Sequence, residues 1–174
     1  DKLDIIQQMT DENGTNIDNI VNFIEKVEKI LTSVSSKFPK TKLFNRLALV
    51  SSYFMNVDLI KHKNEIYKNL INDPFNQDSK EWSLRIVHNS DSKSFDEIIN
   101  NIITIDRIQG QMSNQNKIKE FDDIKVSMDI NTDDKTSSLR FNIENAFSFF
   151  KEAIVLHDNT LSKIEEKIKV SSVD

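Results

Sequence analysis

Two glycines, Gly14 and Gly110, and two prolines, Pro39 and Pro74, are the only backbone punctuation in 174 residues. Hairpin turns and sheet corners draw on Gly, Pro and Asn-Gly pairs, and Asn13-Gly14 is the single Asn-Gly pair. An all-β chain would need many such points. Helix ends can use Ser, Thr, Asn and Asp instead, and these are abundant. The expected fold class is therefore all-α: a single-domain multi-helix bundle of about five to seven helices, with a largely apolar C-terminal helix at its centre.

The clearest periodicity runs through Ile17, Ile20, Ile24, Val27, Leu31, Val34 and Phe38. Its steps of three and four make an a/d seam. Asn16 or Thr15 can cap its start, Pro39 stops it near Lys37, and Glu25 and Lys29 support its outer side as an i, i+4 pair. The seam reads as a bundle helix, with a dimeric coiled coil as the other reading. A second helix starting near Thr41 would carry Leu43, Leu47, Val50, Phe54 and Val57, with Phe44 widening the stripe. A third would carry Leu59, Ile60, Ile66, Tyr67, Leu70 and Ile71, and one bent helix over residues 41–72 is an alternative. Trp82, Leu84, Ile86 and Val87 suit a short helix, and residues 89–92 a loop.

Ser94-Phe95-Asp96-Glu97 has the capping-box pattern. The helix expected after it carries Phe95, Ile98, Ile99, Ile102, Ile103, Ile105 and Ile108 and ends at Gly110. Ile118, Phe121 and Ile124 favour another helix, although Ile124, Val126, Met128 and Ile130 alternate as a half-buried strand would. A lone strand has no visible partner, so a helix followed by a polar loop around residues 131–135 is preferred. From about Lys135 to Val170 the chain is helical again and apolar around most of its circumference between Leu139 and Leu156, as an interior helix should be. Asp158-Asn159 could bend or break it. Residues 1–14 are read as a flexible segment or short helix, 15–170 as the bundle domain and 171–174 as a disordered tail.

The formal charge of −5 argues against non-specific binding to nucleic acid or anionic lipid, both of which reward a basic surface. With no cysteine, a disulfide scaffold, a thiolate nucleophile and Cys-ligated zinc are excluded. Two isolated glycines cannot build a P-loop or a dinucleotide fingerprint. His62, His88 and His157 lie far apart and in no metal-ligand spacing; the bland reading is surface or half-buried imidazoles, with His157 a satisfied interior residue. No Gly-x-Ser-x-Gly elbow occurs.

The adjacent carboxylates Asp122-Asp123, Asp133-Asp134 and Glu165-Glu166 diverge on a helix and read as solvated charges. Asp129-Ile130-Asn131-Thr132-Asp133 faintly resembles a calcium loop but lacks its Gly and terminal Glu. Phe147, Phe149 and Phe150 cannot all face one way, which favours a central helix over an exposed ring. Trp82 covers the bundle edge or, alternatively, anchors an interface. No catalytic, cofactor-binding or metal-ligating residue is assigned, no cofactor is expected, and the chain is read as non-enzymatic. No stretch approaches the ~18 apolar residues of a membrane span.

Segments such as Phe23-Ile24-Glu25-Lys26-Val27, Ile164-Glu165-Glu166-Lys167-Ile168 and Asn69-Leu70-Ile71-Asn72-Asp73-Pro74-Phe75 give the chain a Lys/Asn/Ile-rich helical texture. In this it resembles the helical outer-surface lipoproteins of Lyme-disease spirochaetes, the plasmid-encoded paralogous families. The resemblance implies a signal peptide, a lipidated cysteine and a tether before Asp1, and membrane attachment only through that anchor. It further implies a place on the outer cell surface and a protein partner from the host or tick vector. A start at Asp1 rather than Met fits a trimmed chain. The alternative is an intracellular interaction or assembly protein that forms a homodimer through the seam from Ile17 to Phe38. A third reading is an enzyme with a scattered polar site lined by His157 or His62.

Overall fold

The computed structural model describes residues 3–8, 19–37, 42–55, 66, 70, 81–114, 117–133 and 137–169. Among the described residues six elements have both ends defined: α1 (Ile20–Ser35), β1 (Ala48–Met55), β2 (Trp82–Asp91), β3 (Ile98–Asn114), β4 (Lys117–Thr132) and α2 (Ile143–Lys169). The strands form one antiparallel sheet in the order β1-β4-β3-β2. The expected all-α bundle is therefore wrong. The molecule is a mixed fold of two helices, among the described residues, and a four-stranded antiparallel sheet.

The two helices were readable because each has a single dominant stripe. Ile24, Val27 and Leu31 are the buried residues of α1. Its start is Asn19, whose Oδ1 accepts the Asn22 N–H at 2.9 Å; the caps expected at Thr15 or Asn16, and the stop at Pro39, lie outside the described residues. The seam is thus used within the molecule, against the chain's own core. Helix α2 opens on a reciprocal pair, in which the Asn145 N–H donates to Asn142 Oδ1 and the Asn142 N–H to Asn145 Oδ1. This satisfies two backbone donors as a capping box does. The helix runs unbroken through Asp158-Asn159.

The strands were misread for a physical reason. β3 carries isoleucines on both parities, with Ile99, Ile103 and Ile105 buried and Ile98 exposed on the opposite face, so Ile98, Ile102, Ile105 and Ile108 step by threes and fours as a helix would. The enrichment in isoleucine, whose β-branched side chain suits a pleated surface, was the better signal. Of the helix expected from Thr41, residues 42–47 are a non-helical lead-in and residues 48–55 are β1; the short helix around Trp82 is β2, and Gly110 lies inside β3 rather than ending a helix. The strict alternation of Ile124, Val126, Met128 and Ile130 does mark a strand, β4, and its partners are β1 and β3. The third helix, over Leu59 to Ile71, lies outside the described residues except for Ile66 and Leu70, which are helical. The tail at 171–174 and the Asn13-Gly14 pair also lie outside them.

Serine takes over the role of glycine between β2 and β3. The Ser92 N–H donates to the Glu97 carbonyl at 2.9 Å, and Ser92 Oγ accepts the N–H groups of Ser94 and Phe95. Side-chain oxygens of this kind close turns without positive φ. Ser94 to Glu97, read as a capping box, is this turn. Glu152 on α2 holds it, accepting from Ser92 Oγ, Lys93 N and Ser94 Oγ.

Both helices pack on one face of the sheet. One cluster joins Ile24, Val27 and Leu31 of α1 and Ala146, Phe149 and Ala153 of α2 to Leu49, Ile99 and Ile130. A second joins Ile66 and Ile164 to Ile103, Ile105, Ile124, Val126 and Met128. Phe147 and Phe150 also pack against the first cluster, consistent with an α2 that is packed on more than one side. Arg140 ties the loops together at the end of this layer. It donates to both Glu97 carboxylate oxygens at 2.8 Å, to the Asn45 carbonyl and to the Asp133 carbonyl, and its guanidinium lies 4.8 Å from the centre of the Phe141 ring.

Candidate interaction surface

Antiparallel pairing puts directly opposed residues on the same face, so the register fixes what the other face, free of helices among the described residues and called the helix-free face below, displays. Four rows cross the sheet from β1 to β2: Ala48, Asn131, Asn100, Asn89; Val50, Asp129, Ile102, Val87; Ser52, Ser127, Thr104, Arg85; and Phe54, Lys125, Asp106, Ser83. Val50, Phe54 and Val87 are exposed here. Polar side chains between them bond to one another. Asn100 Nδ2 donates to Asn131 Oδ1, Asn131 Nδ2 to Asp129 Oδ1, and Ser52 and Ser127 share a hydrogen bond at 3.0 Å. Arg46, just before β1, reaches Asp129 at 3.3 Å. Acids and bases are interleaved rather than segregated.

The two sheet edges differ. β2 carries Arg85, His88 and Asp91, and charges on an edge discourage pairing with another chain. β1 reads Ala-Leu-Val-Ser-Ser-Tyr-Phe-Met and contains no charge, glycine or proline. Val50 is 66% exposed and Phe54 52%.

The titratable groups that come together elsewhere are engaged inside the fold. His157, 2% exposed, sits between Tyr53 and Asp158. Its Nε2 lies 2.5 Å from the Tyr53 hydroxyl and its Nδ1 2.9 Å from Asp158 Oδ1. Burial raises the Tyr53 pKa above its ordinary 10.0; the Ser51 hydroxyl opposes this and the Asp158 charge reinforces it. An Asp-His-Tyr chain could move a proton along its length, but its His is sealed between sheet and helix. Nearby, Asn101 Nδ2 donates to Thr160 Oγ1 at 2.9 Å, while Asn101 Oδ1 is buried without a partner. Arg107 grips Asp122 with Nε and Nη2, both at 3.0 Å, and burial lowers the Arg107 pKa. A hollow of about 310 Å³ lined by Asp91, Ser92, Phe95, Asp96, Glu97 and Ile98 is open to solvent, and no histidine lines it.

The residues weighed from sequence are now placed. His157 is interior and hydrogen-bonded, as its position beside the apolar face of α2 suggested. His88 is on the exposed edge β2, and His62 lies outside the described residues. Asp122 and Asp123 are adjacent on a strand, not a helix, and so point to opposite faces. Asp129 to Thr132 is the end of β4 rather than a loop, so its side chains alternate and cannot encircle an ion. Among the described residues no group of three or more His, Asp or Glu is placed to hold a metal, and none of their helices is long and apolar enough to cross a membrane. Trp82 begins β2 and packs, partly buried, against the second cluster.

The helix-free face was not found from sequence. Its members come from four strands, and only the register assembles them. The available signal was the exposed parity of each strand: Val50 and Phe54 in β1, and Val87 in β2.

No protein-family model, no curated protein and no solved structure matches the chain. Nothing in these comparisons links it to the spirochaetal lipoproteins, and it does not have the helical architecture that the resemblance implied.

Proposed function

We propose that this chain is a non-enzymatic protein-binding domain whose partner lies across the helix-free face of the sheet. The observation that carries the reading is the one-sided packing: both helices cover one face, and the other presents Val50, Phe54 and Val87 among Ser, Thr and Asn side chains. Apolar contacts set among hydrogen-bonding groups match the make-up of protein–protein interfaces. The near-balance of Asp106 and Asp129 against Arg46, Arg85 and Lys125 suits a protein better than nucleic acid, which selects clustered positive charge. The enclosure of His157 supports the non-enzymatic part.

A photo-crosslinking residue at Val87 tests the face, with one at Val155 as the control; Val155 is 59% exposed, on α2. In the native cellular setting, a discrete adduct from the Val87 site and none from Val155 is expected. Equal yields from both, or capture from Val155 alone, would overturn the assignment.

Placement on a cell surface behind a lipid anchor, facing a host or vector protein, is a separate proposal supported by sequence texture alone. The gene upstream of Asp1 tests it: a lipobox cysteine supports it, and its absence ends it.

A further inference from the structure

We propose that β1 is a self-association edge, and that two copies of this chain pair there, β1 against β1, around a two-fold axis centred on Ser52. The proposal does not depend on what the helix-free face binds. Among the described residues no strand pairs with the outer side of β1.

The direction of its backbone groups follows from the lead-in. The Leu47 N–H donates to Thr132 Oγ1 and the Leu47 carbonyl accepts the Thr132 N–H, so Leu47 turns its backbone toward β4. Backbone groups alternate along an antiparallel pair. Leu49, Ser51, Tyr53 and Met55 therefore also face β4, while Ala48, Val50, Ser52 and Phe54 present N–H and C=O outward.

These outward residues are self-complementary. With Ser52 opposite Ser52 of the other copy, Val50 stands opposite Phe54 and Phe54 opposite Val50. The two exposed apolar side chains thus cover each other on the same face, where cross-strand aromatic and β-branched pairs stabilise a sheet. On the helix side Leu49 stands opposite Met55. Charge does not oppose this register. Across the junction one row reads Asp129, Val50, then Phe54 and Lys125 of the second copy, and the row beyond Ser52 is its mirror. Asp129 of one copy and Lys125 of the other stand about 14 Å apart at ordinary strand spacing, and Asp129 is held by Arg46 of its own chain, so the flanks of each junction are close to neutral. The chain repels itself overall at −5, yet this strand carries no charge, whereas the β2 edge does.

The contact is modest in size. An eight-residue strand extends roughly 27 Å, and with a sheet about 10 Å thick it offers on the order of 300 Å² per copy. That falls short of a standard stable interface, so the dimer is reversible and concentration-dependent. Its formation would join two four-stranded sheets into one of eight, doubling the helix-free face.

Sedimentation velocity from about 1 μM to about 1 mM brackets such a weak contact. The wild-type mass should rise toward two copies, and the double variant V50K/F54K should remain a single copy with an unchanged circular dichroism spectrum. The absence of cysteine provides a second test that does not depend on those lysines. Under mild oxidation S52C should form a disulfide-linked dimer at least tenfold faster than V50C, whose counterpart across the axis is Phe54, or V87C on the other edge. A wild-type chain that stays monomeric throughout, a dimer indifferent to V50K/F54K, or equal cross-linking of S52C and V87C would each overturn the proposal.

Discussion

Tyr53 and His157 are 104 residues apart, and each satisfies a group that neither could satisfy from its own element. The position of His157 beside the apolar face of α2 was legible as an interior imidazole, because a helix records its own faces. Its partner was not, because the register that brings β1 beneath the helix is a property of the assembled sheet. The pair has a testable pH signature. The folded state holds the Tyr53 phenol protonated beyond its ordinary pKa of 10.0, chiefly through burial. Below that value folded and unfolded chains bind the same proton, and stability is undiminished. Above it the unfolded chain releases the proton first, so stability falls as pH rises. Denaturant midpoints measured from about pH 8 to about pH 11 should therefore decline more steeply for the wild type than for Tyr53→Phe. At neutral pH that variant should lose about 1–3 kcal/mol, the usual cost of leaving a buried acceptor without its donor. Parallel alkaline slopes would show that Tyr53 does not report on this contact.

The elements divide into those whose sequence carries one stripe and those whose sequence carries two. α1 and α2 were legible from their periodicity, and β4 from the strict alternation of Ile124 to Ile130, although that signal was outweighed by the lack of a visible partner. β1 and β3 carry apolar residues on both faces, so local spacing could not separate strand from helix. The scarcity of glycine misled too, since Ser92 closes the β2–β3 turn without one. Gly110 has a different task inside β3. It stands opposite Phe121 in the register, and a Cβ there would lie 2.6 Å from the Phe121 ring tip. Alanine is normally better than glycine in a strand, by roughly 0.5–1 kcal/mol, while overpacking costs about 1–3 kcal/mol. Gly110→Ala should therefore destabilise the wild type and stabilise a Phe121→Ala background. Exchange rates of the amides of residues 108–114 and 117–123, where β3 and β4 pair only with each other, read the coupling across the four chains of that double-mutant cycle; additive effects would show that the ring moves aside freely.

At the scale of the whole molecule the defining fact is distance along the chain. β1 pairs with β4 across residues 48–55 and 124–131, a non-local closure in a sheet whose other two pairings, β2–β3 and β3–β4, join strands that follow one another in the chain. Such a pairing forms slowly relative to the local contacts of hairpins and helical bundles. The sheet is also uneven in length. β3 and β4 stay paired from Ile99↔Thr132 out to Asn114↔Lys117, whereas β2 accompanies β3 only as far as Arg107 and β1 accompanies β4 only from Ile124. Beyond those points, among the described residues, the hairpin continues as a ribbon two strands wide. Such a ribbon can open from its tip without disturbing the layers behind it, because regions with few neighbours unfold locally at a fraction of the global free energy. Native-state hydrogen exchange should accordingly record two regimes along the same two strands. Amides of residues 108–114 and 117–123 should be lightly protected and insensitive to mild denaturant. Those of 99–107 and 124–131 should be released only with global unfolding. Uniform protection from end to end would mean that the protruding part is braced as firmly as the rest; a break near Arg107 and Ile124 would mark where a sheet becomes an arm.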